Sequence, residues 1–90
     1  MSKSIMQDKE ECYVSGSRIN LERHHCLHGT ANRKLAEKWG LWVYLRQDIH
    51  ASVHERDKDL DRRLEQDAQR AFEEKYSHDL WMKTFRKNYL

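Results

Sequence analysis

The period of hydrophobic and polar positions changes several times along the chain, and each change marks an element. Residues 1–10 are polar and aperiodic, and are expected to form a flexible segment ahead of a single domain over residues 11–90. Cys12-Tyr13-Val14 reads as a short strand, Ser15-Gly16-Ser17 as a turn, and Ile19 to Arg23 as the returning strand of a hairpin. In the loop Leu27-His28-Gly29-Thr30, Gly29 permits an unusual backbone angle and Thr30 is placed to cap a helix. That helix is predicted over Ala31 to Trp39, with Leu35 and Trp39 on one face and Gly40 as its C-cap. Leu41 to Leu45, short, aromatic and apolar, is predicted to be extended and buried. Asp48 to His54 fits a short helix with His50 and His54 on one face.

The clearest pattern follows Asp57. Leu60, Leu64, Ala68, Ala71, Phe72 and Tyr76 form an apolar stripe at helical spacing, with Asp61, Arg62, Glu65, Glu73 and Glu74 mostly opposite, which predicts a helix of about twenty residues. Ser77 is placed to cap a last helix, from which Leu80, Trp81, Met82, Phe85 and Tyr89 face the domain. The expected class is α+β, a small β-hairpin with helices concentrated toward the C-terminus.

Composition narrows what such a domain can be. A chain of 90 residues buries only about 60–65% of the surface it exposes when unfolded, so its core is thin and a bound metal is a natural staple. Three Trp, four Tyr and two Phe supply bulky anchors against a charged content of 36% and a mean hydropathy of −1.08. The net charge of +2, from 17 basic and 15 acidic side chains, creates no global field toward nucleic acid or a membrane. Nucleic-acid affinity must come from local clusters, such as Arg18, Arg23, Arg33, Lys34 and Lys38. Without a secretory signal or an apolar run of membrane-spanning length, the expected setting is the cytoplasm, with no membrane partner and with Cys12 and Cys26 as reduced core residues.

Four of the six histidines share an explanation. Histidines at i and i+4 on a helix point the same way, so His50 and His54 can reach one divalent ion. Adjacent residues on a strand point to opposite sides, so of His24 and His25 one can hold metal while the other stays free as a base. Free imidazole titrates near pH 6.5, suited to taking a proton from water, while a metal offsets charge building on a phosphate oxygen. Read singly, each is an ordinary surface histidine, and His28 has no assigned role.

The order His24-His25, an extended segment ending near Leu45, then His50-x-x-x-His54 opening onto helices resembles the HNH (ββα-metal, His-Me finger) endonucleases. The stretch from Asn20 to Ala36, with Trp42-Val43-Tyr44-Leu45 and Ala68 to Glu73, is similar to small phage-encoded HNH-type proteins, some of them recombination-associated nucleases. The resemblance implies a ββα-metal-like core with C-terminal helices in one HNH-like domain over residues 11–90. It makes His25 the general base, His24, His50 and His54 the ligands of one divalent metal ion (Mg, Mn, Ni or Zn), and Arg23, Arg33 and Lys34 the grip on DNA. It implies 5′-phosphate and 3′-hydroxyl products, and a phage protein acting in the bacterial host cytoplasm. The asparagine that orients the base in the family has its nearest candidate in Asn32.

Departures from the family pattern define the alternatives. Ser15, Arg46 and Ile49 stand where paired cysteines or histidines of a structural zinc knuckle would be. That loss suits a catalytically inactive HNH-like module binding a protein partner in recombination or host defence, such as a phage inhibitor of a host defence nuclease. A third reading gives the histidines a purely structural role, filling a small domain or holding zinc for stability. Oligomeric state is left open by the sequence.

Overall fold

The computed structural model describes residues 3–90. Two strands, β1 (Leu21–His25) and β2 (Trp42–Arg46), pair antiparallel with His24 opposite Val43 and His25 opposite Trp42. Alternation along the strands puts Glu22, His24, Val43 and Leu45 on one face and Arg23, His25, Trp42 and Tyr44 on the other. Helix α1 (Thr30–Trp39) fills the connection between the strands, and α2 (Gln47–Glu55) leaves β2 directly. Two further helices, α3 (Lys58–Lys75) and α4 (His78–Phe85), complete the expected α+β fold.

The helix boundaries follow local chemistry. α1 starts after Gly29, whose φ of 95° only glycine adopts easily, and Thr30 is its first helical residue rather than its cap. It ends at Gly40, left-handed with φ 74°, whose N–H donates to the Ala36 carbonyl. At α3 the Asp57 side chain accepts from the Leu60 N–H at 3.0 Å, and at α4 Ser77 Oγ accepts from the Leu80 N–H at 3.1 Å.

The core lies between the sheet and α3. Leu41, Val43 and Leu45 meet Leu64, Ala68 and Phe72, all fully buried. Phe72 packs edge-to-face against Trp39 of α1 (ring centroids 5.3 Å apart) and Trp81 of α4 (5.4 Å), so one aromatic group joins three helices. Of the stripe expected on α3, Leu64, Ala68 and Phe72 are buried and Leu60 and Ala71 partly so, but Tyr76 is the C-cap of that helix and is exposed. Gln69 is buried instead, because its amide donates to Asn88 Oδ1 and accepts from the Tyr89 N–H, both at 2.7 Å, tying down the chain after α4. Cys12 and Cys26 are buried free thiols, as expected for core residues.

The first arm of the predicted hairpin is corrected. Residues 13–15 form a turn, not a strand, and β1 pairs with β2 instead. The turn closes on itself, with the Cys12 N–H donating to the Ser17 carbonyl and the Gly16 N–H to the Cys12 carbonyl. Val14 and Ile19 are exposed, and Asn20, at φ 53°, turns the chain just before β1, so the returning strand begins at Leu21. Of the segment expected to be flexible, residues 1 and 2 lie outside the described residues, and residues 4–7 lie along β2: Ser4 Oγ donates to the Trp42 carbonyl, the Ile5 N–H to the Gly40 carbonyl, and Gln7 Oε1 accepts from the Tyr44 N–H. No helix among the described residues is long and apolar enough to cross a membrane.

Candidate metal centre

β1, β2 and α2 bring the histidines together. Val53 is buried and Ile49 packs against the core, so the α2 positions one residue later, His50 and His54, turn toward β1. His24, on the face of β1 that meets α2, completes the group. Its ring lies 5.3 Å from that of His50 and 5.5 Å from that of His54, centroid to centroid. One ring nitrogen from each of the three falls within 4.8 Å of the others, so the three can hold one metal ion.

The donor set fits a metal. His24 is 1% exposed, and its Nε2 is buried with no hydrogen-bond partner. Burial, with His50, His54, His28 and His25 nearby, pushes its pKa down to about 3. It is therefore neutral at physiological pH, with a lone pair to give. Burial, with His50 and His28, likewise lowers the pKa of His54 against an opposing pull from Asp61. His50 is oriented from behind, its Nδ1 lying 2.7 Å from Glu22 Oε1, which leaves Nε2 facing His54 Nε2 at 3.1 Å.

A cleft of about 380 Å³ opens over these rings, lined by Arg23, His24, His25, Leu27, His28, Arg33, His50 and His54. His25, the last residue of β1, points to the α1 side of the sheet, where its Nε2 lies 3.3 Å from Glu37 Oε1. Arg23 also reaches Glu37 Oε1, at 3.2 Å, and its guanidinium stacks 3.8 Å from the centroid of the Trp42 ring. Lys34 lines an adjoining cleft with His25, Thr30, Arg33 and Glu37.

Asn32 lines neither cleft. The residues of α1 that face His25 are spaced three and four apart, and a position two residues beyond Thr30 falls on the far side of the helix. Three participants went unrecognised in the sequence. Glu22 shares the His24 face by strand alternation, and Glu37 shares the Thr30 and Arg33 face by helical spacing. Without a fold neither pattern names a partner. His28, unassigned from sequence, sits at the cleft with Nε2 2.7 Å from Asp61 Oδ1, so α3 holds it beside His24 and His54. No protein-family model, curated protein or solved structure matches the chain.

Proposed function

We propose that this chain is a metal-dependent DNA endonuclease or nickase of HNH type, with His24, His50 and His54 holding one divalent cation and His25 as general base. The observation that carries the reading is the convergence of three imidazoles where β1, β2 and α2 meet, with a fourth imidazole next in sequence opening on the same cleft. A set of three imidazoles without a carboxylate suits zinc or nickel better than magnesium or manganese. When bound, the cation supplies positive charge against that building on the phosphate and the leaving oxygen.

The chain's own residues supply the rest. His25 takes a proton from the water that attacks phosphorus, a role worth about 10²–10⁴-fold in rate. Arg33 and Arg23, on the rim of the same cleft, and Lys34 beside it hold the flanking phosphates, contacts that position the duplex without reading its sequence. His28, fixed by Asp61, closes the α3 side of the cleft.

Cleavage of supercoiled plasmid by metal-stripped protein, with Mg, Mn, Ni or Zn restored in turn, tests this reading. Nicking or linearisation is expected with at least one ion and is abolished in His25→Ala. Folded, metal-loaded protein that cuts nothing would overturn it. The placement of Asn32 away from His25 favours a second reading, an HNH-like module that has lost catalysis and binds a protein partner; saturable binding that survives chelation and His25→Ala would support it.

A further inference from the structure

We infer that Glu37 is the positioning residue for His25, holding its Nε2–H so that Nδ1 is the nitrogen free to accept a proton. The inference rests on the nuclease reading for what His25 does, and on geometry alone for how it is held. Asn32 is the nearest candidate for the asparagine that orients the base in the resembled family, and helical spacing puts it on the side of α1 away from Thr30, Arg33 and Glu37. Glu37 comes from that same helix, on the turn that faces the end of β1, and puts Oε1 3.3 Å from His25 Nε2.

The arrangement of the carboxylate is what singles it out. An Arg–Glu ion pair built for stability alone tends toward a two-point fork, with both carboxylate oxygens engaged. Glu37 instead shares Oε1 between Arg23, at 3.2 Å, and His25, while its Oε2 is buried and makes no hydrogen bond. Leaving a buried carboxylate oxygen unpaired is costly, and such oxygens are rare in native folds. Here it accompanies an orientation that keeps Oε1 on the imidazole. Arg23 is itself stacked on Trp42, which pairs with His25 across the strands, so guanidinium and imidazole share one face of the sheet and the carboxylate reaches both from α1.

A carboxylate behind an imidazole does two things. It fixes which nitrogen carries the proton, and it stabilises the imidazolium formed when the other nitrogen takes one. Both act through His25, so Glu37 touches neither substrate nor metal.

Nitrogen-15 spectra of the full chain, labelled at histidine and recorded above the titration range of imidazole, read the tautomer directly. Wild type is expected to show His25 protonated on Nε2, with a ring N–H slowed in exchange with water. Glu37→Ala loses that slowed proton, whereas Glu37→Gln, which keeps an acceptor of the same length, retains it. In plasmid cleavage, kcat is expected to fall about tenfold or more in Glu37→Ala with KM for DNA unchanged, and to recover in large part in Glu37→Gln, the scale typical of removing a group that orients a functional histidine. Wild-type His25 protonated on Nδ1, or a ring proton equally slow in Glu37→Ala, would overturn the inference. Wild type alone supplies the first of these outcomes if Glu37→Ala does not fold. Protein that cuts no DNA would remove the nuclease reading while the ring proton still reports whether Glu37 holds His25.

Discussion

Glu22 Oε1 lies 2.7 Å from Nδ1 of His50, linking the sheet face that carries His24 to the helix that carries His50 and His54. A carboxylate at Nδ1 turns Nε2 toward the centre of the cluster and makes it a better donor. In Glu22→Ala the three imidazoles remain but His50 is free to rotate and to exchange tautomers. Zinc affinity, measured by calorimetry, is expected to fall about 10- to 100-fold, and Glu22→Gln to fall less. An unchanged affinity would mean that packing of α2 alone orients His50.

The buried His24 gives the metal-free protein a defined acid weakness. Its folded pKa, about 3, lies below the ordinary value of 6.5, because burial and the neighbouring His50, His54, His28 and His25 all disfavour charge. Between those two pH values the unfolded chain binds a proton that the folded chain does not, so stability falls as pH falls through 6.5 and is fully present above it. From pH 7 to pH 5 this one group removes about 2 kcal/mol. Urea unfolding of metal-free wild type and His24→Gln at both pH values isolates it: the wild type loses more stability than the variant over the same step.

The helices and the histidine cluster were readable in the residues because the signals are local. Spacing of three and four fixes which way Leu64, Ala68 and Phe72 point, and the same rule puts His50 beside His54. Strand alternation separates His24 from His25 wherever the strand pairs. What the strand pairs with is a long-range matter. Cys12-Tyr13-Val14 and Trp42-Val43-Tyr44 are both short apolar aromatic runs that reach the core, and only the second pairs with β1 while the first closes into a turn. For the same reason a polar residue such as Asn32 or Glu37 carries no sign in the sequence of which face of α1 meets His25. The stripe on α3 ran one position too far because Tyr76, in helical register, follows the last helical turn.

Gly40 is where the N-terminal segment meets the connection between α1 and β2. Its φ of 74° is left-handed, and an added Cβ would collide with the Lys3 carbonyl oxygen and lie 3.2 Å from the Ile5 amide nitrogen. Gly40→Ala therefore combines about 1–2 kcal/mol of backbone strain with displacement of the segment along β2. Thermal unfolding is expected to shift down by about 4–8 °C for each kcal/mol lost in a domain of this size. A melting temperature equal to wild type would show that the segment moves aside freely and that the left-handed turn tolerates a side chain.

Metal binding and the base are separable by stability alone. A ligand that binds only the folded chain stabilises it by about 2.7 kcal/mol at a hundred times its Kd. In a domain of this size that is a rise in melting temperature of roughly 10 °C or more. Zinc is expected to produce such a shift in wild type and to lose it in His24→Ala, where one of three donors is gone and the others face an empty corner of the site. His25 points to the opposite side of the sheet and is held by Glu37, so His25→Ala should keep the zinc shift intact even as cleavage disappears. A zinc shift abolished equally in both variants would place His25 among the ligands and leave the proposed base without its role.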